Sequence, residues 1–157
     1  MFKKLHIIAI VFCQTTNCCP DEAGWVTVGD SCYLVSPERM TWFGAQEFCF
    51  GHGGYIAEIK SEKGEEVLHH FLMEKGNYWI GLTDLDIEGK WIWATTHEVA
   101  SYTNWDSGEP NNEGGEDCAI KIGNGWLDLD CDLNTSGAPM PIHALCEYDN
   151  RDDSHFF

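Results

Sequence analysis

Basic residues are scarce in this chain. Its 157 residues include 9 Lys and Arg against 26 Asp and Glu, which gives a formal net charge of −17 at pH 7. A surface this acidic repels the phosphates of nucleic acids and the headgroups of anionic lipids. We therefore expect no nucleic acid partner, and for most of the surface the charge favours solubility.

Long apolar runs are also missing. The apolar stretch 5–12 is too short to span a bilayer, which takes about 20 residues. It follows Lys3 and Lys4, as in a secretory signal, so we predict a signal peptide over residues 1–13, with cleavage there or a few residues later. The expected product is a secreted, extracellular protein that does not insert into membranes.

The common signatures of enzymes are absent from the sequence. It has no Ser or Cys nucleophile with a recognisable base, no glycine-rich phosphate loop and no zinc-protease helix, and its seven His show no metal-ligand spacing. Glu109 and Glu116 could in principle form a glycosidase pair. Both are better explained as metal ligands, so we predict no enzymatic activity.

The cysteine count leaves two possibilities open. Eight Cys in a secreted chain imply disulfides. Cleavage before Gln14 would remove Cys13 and leave seven, so that one member of the adjacent pair Cys18 and Cys19 stays unpaired and available for an interchain bridge. If the chain is instead cut before Cys13, this residue is retained and can pair.

The rest of the chain indicates one domain with two helices and several short strands. A helix is predicted from Thr41, with apolar residues at helical spacing, and ends at the glycines after residue 50. A second helix is predicted after Ser61, a good N-cap, with Glu62, Glu65 and Glu66 near its positive end. Strands are predicted over 78–82, 90–93, 119–122, 126–128 and 144–148. We expect most of Trp79, Trp91, Trp93, Trp105 and Trp126 to lie in the core.

One stretch concentrates acidic residues beside Trp and Cys. Its only basic residue is Lys121, and its acids are Asp106, Glu109, Glu113, Glu116, Asp117, Asp128, Asp130 and Asp132. Folding such a stretch brings like charges together, unless a cation lies among them. Oxygen ligands without a convergent set of His or Cys favour calcium over zinc or copper.

These features together resemble the C-type lectin-like domain over residues 19–148. The matching residues are Cys19-Pro20, Trp25, Cys32-Tyr33, Trp42, Ala45, Cys49, Trp79-Ile80-Gly81-Leu82, Trp91-Ile92-Trp93, Asn104-Trp105, Glu109-Pro110-Asn111, Glu116-Asp117-Cys118, Trp126, Cys131 and Cys146-Glu147. The resemblance implies an α+β fold with two helices, two small antiparallel sheets and a long calcium-binding loop. It also implies the disulfides Cys19–Cys32, Cys49–Cys146 and Cys118–Cys131, which leave Cys18 over for a possible disulfide-linked homodimer.

The resemblance further implies calcium as a cofactor. Carried over residue by residue, the primary ligands are Glu109, Asn111, Glu116 and Asp128, and the Glu109–Pro110 bond is cis. An auxiliary calcium is implied at Asp84, Glu88, Asn112 and Asp117, together with Glu116.

The same four primary ligands are implied to bind the sugar. Their Glu-Pro-Asn order is typical of lectins for glycans with equatorial 3- and 4-hydroxyls, such as mannose and N-acetylglucosamine. This predicts recognition of such glycans on microbial surfaces, in innate immunity. Leu127 departs from the family pattern, because it stands where an Asn usually supplies an oxygen. A lectin-like domain that binds protein, lipid or another surface without the sugar site is therefore the alternative.

Two further features lie near the end of the chain. Asn134-Thr135-Ser136 is an N-glycosylation sequon, so Asn134 is predicted to carry a glycan. Residues 149–157 are expected to form an acidic, polar tail.

Overall fold

The computed structural model describes residues 19–21, 24–72, 76–133 and 140–149. The predicted signal 1–13, Cys18, Asn134 and the tail beyond Asp149 lie outside these residues and stay predictions. Within the described part of the chain, no helix is both long enough and apolar enough to cross a membrane.

Two helices and eight strands make up the fold. In chain order they are β1 (Val26–Val28), β2 (Ser31–Arg39), α1 (Trp42–Gly51), β3 (Tyr55–Ile56), α2 (Glu62–Leu72), β4 (Asn77–Thr83), β5 (Ile92–Trp93), β6 (Cys118–Ile122), β7 (Gly125–Leu129) and β8 (Ile142–Tyr148). The predicted α+β class, both helices and all five predicted strands are confirmed. Strands β1 to β3 were not among the strands predicted from local pattern.

Side-chain caps start both helices where the sequence predicted. The hydroxyl of Thr41 accepts a hydrogen bond from the N–H of Gly44 at 3.1 Å, and the hydroxyl of Ser61 accepts one from the N–H of Gly64 at 3.1 Å. Each cap satisfies an N–H group that has no partner within its own helix. The two caps therefore explain the starts of α1 and α2.

The strands form one mixed sheet, and the prediction of two small antiparallel sheets is wrong in this detail. The order is β1-β2-β8-β4-β6-β7, with β3 paired to β8 and β5 to β4, and the β4–β8 pair is parallel. Five of the seven residues of β8 are buried. An inner strand of this kind needs neighbours on both sides, so β8 joins the terminal strands to those of the long loop. Local sequence pattern does not specify such a pairing.

Three disulfides link the described cysteines as the resemblance implied. Cys19–Cys32, Cys49–Cys146 and Cys118–Cys131 have Cα–Cα distances of 5.5, 5.2 and 5.1 Å. They anchor the N-terminal segment to β2, α1 to β8, and the start of β6 to the chain just after β7. Bridges of this kind in small secreted domains typically contribute about 2–5 kcal/mol each. No described cysteine is unpaired.

A buried ion pair joins α2 to the β6–β7 hairpin. Glu65 and Lys121 are only 7% and 2% exposed, and their charged groups form a salt bridge. The second oxygen of Glu65 accepts a hydrogen bond from the indole N–H of Trp126 at 3.0 Å, and Lys121 also donates to the carbonyl of Gly123 at 3.0 Å. Glu65 was predicted to lie near the positive end of α2, but the sequence did not reveal its burial or its partners.

We expect the change Lys121→Met to destabilise the protein by about 3–5 kcal/mol, because it leaves the buried carboxylate of Glu65 without its counter-ion. The double change Glu65→Gln with Lys121→Met removes both charges, and the new amide oxygen can still accept from Trp126. It should therefore cost clearly less than the single change. Urea unfolding with the disulfides intact measures both variants. A double variant no more stable than the single one would contradict this account.

Candidate functional site

The long loop runs along the free edge of the sheet. Strand β7 ends the path of paired strands, and Trp126 on it donates its N–H to the carbonyl of Asn104 at 2.9 Å. The N–H of Asp106 donates back to the carbonyl of Trp126, also at 2.9 Å. Trp105 thus lies beside Trp126 in a parallel bridge. The loop that follows is thereby directed along β7 towards Asp128.

Three of the predicted primary ligands meet at this edge. The amide of Asn111 donates to both carboxylate oxygens of Glu109 at 2.9 Å, and the peptide bond between Glu109 and Pro110 is cis, as implied by the resemblance. Asp128, only 2% exposed, accepts the backbone N–H groups of Asn111 at 3.0 Å and Asn112 at 2.7 Å. Side chains from the loop and from β7 therefore converge here.

The fourth predicted ligand, Glu116, is bonded to the same turn. Its carboxylate accepts the N–H of Glu113 at 3.2 Å, and its own N–H donates to the side-chain oxygen of Asn112 at 2.9 Å. The side-chain oxygen of Asn111 accepts the N–H of Glu113 at 2.7 Å. All four predicted primary ligands thus belong to one hydrogen-bonded group, which we call the loop-edge group: Glu109, Asn111, Glu116 and Asp128.

The carboxylates of the loop-edge group perturb one another. A hydrogen bond to Asp128 raises the pKa of Glu109, and burial adds to the rise. Burial alone would raise the pKa of Asp128, but hydrogen bonds from Glu109 and from the backbone N–H groups of Asn111, Asn112 and Asp128 itself lower it below its ordinary value. Burial, and then the charge of Asp128, raise the pKa of Glu116. A proton held between these acids occupies a place where a cation would also be stabilised.

A second acidic group lies at the turn after β4. One carboxylate oxygen from each of Asp84, Glu88 and Asp117 lies within 4.8 Å of the others. Asp84 is 2% exposed and accepts the N–H of Gly89 at 2.8 Å through one oxygen, whereas its other, buried oxygen has no hydrogen-bond partner. Buried polar atoms are normally satisfied, so this oxygen fits a metal ligand. We call these three residues the turn group.

Two residues predicted to complete the auxiliary site are bonded to the loop-edge group. The side-chain oxygen of Asn112 accepts the N–H of Glu116, and the N–H of Asn112 donates to Asp128. Asn112 adopts a φ of 50°, a left-handed conformation that Asn tolerates better than most residues. Asp84, Glu88 and Asp117 are therefore brought together as predicted, while Asn112 and Glu116 bond to the side of the loop-edge group.

Leu127 has an apolar environment. It is half-buried and packs against the core cluster that contains Ile120 and Ile142. Because successive strand residues point to opposite faces, Leu127 and Asp128 lie on opposite faces of β7. The contacts give a packing reason for Leu at this position, which the sequence alone did not indicate.

A cluster of aromatic rings packs between the long loop and the core. Trp126 is fully buried and packs edge-to-face with Trp105 and with Tyr102, both at 5.9 Å between ring centroids. Trp91 packs on Trp105 at 4.7 Å. The expectation that most Trp lie in the core holds for Trp79, Trp93 and Trp126, while Trp91 and Trp105 are half-buried. This cluster was not identified from the sequence, because its members are far apart along the chain.

Comparison with known proteins gives a consistent result. Residues 38–136 match the family model described as the lectin C-type domain. A perlucin-like protein of the mussel Mytilus galloprovincialis is 33% identical over 132 residues, covering 80% of this chain and 83% of that protein. Several other curated relatives are longer, and the chain spans 28% to 66% of their length.

Solved structures share the fold. The carbohydrate-recognition domain of the human scavenger receptor C-type lectin is 29% identical, with a TM-score of 0.72 over 84% of this chain and 99% of that one. The corresponding domain of cow CD23, crystallised in the presence of a GlcNAc2Man3 oligosaccharide, is also 29% identical, with a TM-score of 0.72 over 84% and 96% of the two chains. The family resemblance predicted from the sequence is confirmed.

The buried carboxyl of Asp84 should make the stability of the metal-free protein depend on pH. Burial raises the pKa of its carboxyl above the ordinary value of 3.8; the N–H of Gly89 opposes this rise, and the charges of Glu88 and Asp117 add to it. As pH increases, the Asp84 carboxyl therefore loses its proton at a lower pH in the unfolded chain than in the folded protein. Without metal, the free energy of unfolding falls as pH rises from the unfolded pKa through the higher folded pKa. In a chelator, we expect Asp84→Asn to remove this fall and to be more stable at pH 7 by about 1 kcal/mol.

Urea unfolding of the metal-free protein at a series of pH values checks this expectation. Asp86→Asn is the matched control, because Asp86 lies exposed in the same turn and should show no such gain. An Asp84→Asn variant less stable than the native chain at pH 7 would show that the buried carboxylate is satisfied without a metal.

Proposed function

This chain belongs to the C-type lectin domain family, and from that we propose that it is a secreted lectin that binds glycans through calcium at the loop-edge group. The observation that carries the proposal is the convergence of Glu109, Asn111, Glu116 and Asp128 in one hydrogen-bonded group. These residues come from two separate segments of the chain, and all of them offer oxygen atoms.

The donor chemistry fits calcium. Three carboxylates and one amide supply hard oxygen ligands, and the raised pKa values of Glu109 and Glu116 indicate a place where negative charge is costly without a cation. Bound there, calcium would supply a positive centre to which two neighbouring hydroxyls of a sugar can coordinate. Protons compete for the same carboxylates, so calcium affinity should weaken as pH falls.

The order of acid and amide around Pro110 sets the proposed preference. The carboxylate of Glu109 can only accept a hydrogen bond, whereas the Asn111 amide nitrogen can only donate one. The Asn111–Glu109 hydrogen bond shows that the two groups lie side by side. A sugar with adjacent equatorial 3- and 4-hydroxyls can use both, which favours glycans of the mannose and N-acetylglucosamine type, as implied by the family resemblance.

The turn group is proposed to hold an auxiliary calcium. Asp84, Glu88 and Asp117 offer three closely spaced oxygens, and the unsatisfied oxygen of Asp84 supplies a reason for a metal there. Asn112 and Glu116 are included in the proposed ligand set of this ion. An ion here would hold the loop against the end of β4.

Recognition of microbial glycans in innate immunity is the proposed biological role. The cow CD23 domain crystallised with a mannose-containing oligosaccharide supports glycan recognition within this fold. Single sugar sites of this kind are weak, so avidity would come from several copies. A homodimer linked through Cys18 and a glycan on Asn134 remain parts of the proposal.

A second function is favoured by one residue. Leu127 offers no side-chain oxygen and packs on the core, so the ligand set contains one oxygen fewer than the family pattern. A domain that binds a protein, lipid or other surface without the sugar site would be consistent with this difference. Retention on mannose-agarose separates the two candidates.

We expect the protein to be retained on mannose-agarose in calcium and released by a chelator. Glu109→Gln should lose retention at least tenfold, because it removes a charged calcium ligand. Glu113→Gln is the matched control, since Glu113 contributes only its backbone to the loop-edge group. Failure of the native chain to bind in calcium, or binding that persists in the chelator, would favour the second function.

Exchanging the acid and the amide on either side of Pro110 should change the sugar preference. The paired change Glu109→Gln with Asn111→Asp reverses the order of donor and acceptor while keeping one carboxylate. We expect the preference to move from mannose towards galactose, measured as the ratio of the two sugars needed to halve retention. A variant that still prefers mannose over galactose to the native extent would contradict the assigned roles.

A further inference from the structure

A cavity of about 390 Å³ lies between the start of the long loop, one turn before Glu109, and the turn that joins β6 to β7. It is lined by Asn104, Trp105, Asp106 and residues 122–125. We propose that this cavity is a subsite for a second sugar residue of a neutral oligosaccharide whose first residue occupies the loop-edge group. This inference rests on the proposed function, and it implies that oligosaccharides bind more tightly than single sugars.

The lining has the composition of a saccharide site. Trp105 is half-buried and held edge-on by Trp91 at 4.7 Å and by Trp126 at 5.9 Å, so its ring is fixed before any ligand arrives. Fixed aromatic surfaces accompanied by a few polar groups are typical of small-molecule sites. An indole face matches the apolar C–H face of a pyranose ring, and the surrounding polar groups match its hydroxyls.

Free polar groups are available at the rim of the cavity. Asp106 uses one carboxylate oxygen to accept the N–H of Ser107 at 2.8 Å. Its second oxygen and the side-chain amide of Asn124 have no bond to any described residue, and both side chains are exposed. The amide of Asn104 donates to the carbonyl of Asn124 at 2.5 Å, which fixes the turn against the loop. The site therefore offers a rigid wall with one free acceptor and one free amide.

The charge of the lining indicates a neutral ligand. It includes the carboxylate of Asp106 and no Lys or Arg. Lys121 donates to the carbonyl of Gly123, a lining residue, but its side chain is 2% exposed and paired with Glu65. Sialylated or sulfated residues would meet repulsion here without compensation, so the expected occupant is an uncharged hexose.

The position along the sheet edge connects the cavity to the loop-edge group. Trp105 lies beside Trp126, and the backbone of Asn111 lies beside Asp128. The lining reaches the loop-edge group at Asp106, whose carbonyl accepts the N–H of Glu109 at 3.0 Å. On β7 the lining residue Gly125 lies three residues before Asp128, which corresponds to about 10 Å at the usual rise of a strand. The two places therefore follow one another along a single edge, within the reach of one oligosaccharide.

The test compares a monosaccharide with a trisaccharide on the full chain in calcium. Calorimetry with methyl α-mannoside measures the loop-edge group alone, and α-linked mannotriose measures both places. Per mannose residue, we expect the native chain to bind mannotriose about 3–10-fold more tightly, the range given by one or two added hydrogen bonds. The changes Asn124→Ala and Asp106→Asn should each reduce that advantage while leaving methyl α-mannoside affinity within twofold.

Controls separate the subsite from the function on which it rests. Glu47→Gln removes a carboxylate from the exposed face of α1 and should leave both affinities unchanged. The amide signal of Asn124 and the indole signal of Trp105 should shift with mannotriose and not with methyl α-mannoside. Native binding of both ligands with no advantage for mannotriose, or an advantage that survives both changes, overturns the subsite alone. Absence of any methyl α-mannoside binding overturns the proposed function and the subsite together.

Discussion

Mutual repulsion among carboxylates at the free edge of β7 is the constraint on which the rest of this structure depends. Glu109 and Glu116 lie in the long loop and Asp128 lies on β7, and hydrogen bonds hold the three in one group. The raised pKa values of Glu109 and Glu116 show the electrostatic cost of that arrangement. Stabilising interactions elsewhere in the fold have to offset this electrostatic cost. The disulfides and the buried aromatic core provide such stabilisation.

The core and the site are connected through one residue. Trp126 packs under the long loop, bonds its indole N–H to the buried carboxylate of Glu65, and exchanges backbone hydrogen bonds with the loop on either side of Trp105. Two residues further along the same strand lies Asp128. Helix α2 thereby fixes the strand that carries Asp128, a proposed calcium ligand, and the backbone bonds of Trp126 position Asn104 and Asp106 in the lining of the neighbouring cavity.

Much of this arrangement could be predicted from the sequence, because its signals are local. Thr41 and Ser61 marked the helix starts, and the Glu-Pro-Asn motif with Glu116 and Asp128 marked the loop-edge group, which the structure brings together. Pairings between distant segments could not be predicted in this way. Nothing near Glu65 in the sequence indicates Lys121 as its partner, and strand alternation around β8 does not reveal that it pairs in parallel with β4.

Calorimetric titration of the metal-free protein with calcium tests the central claim most directly. If the clustered carboxylates are a cation site, calcium should produce a saturable heat with a dissociation constant no weaker than about 1 mM, the weak end for extracellular calcium modules. That heat should fall as the pH is lowered, because protons occupy the same oxygens. A titration without saturable heat up to about 10 mM, well beyond that range, would contradict the account.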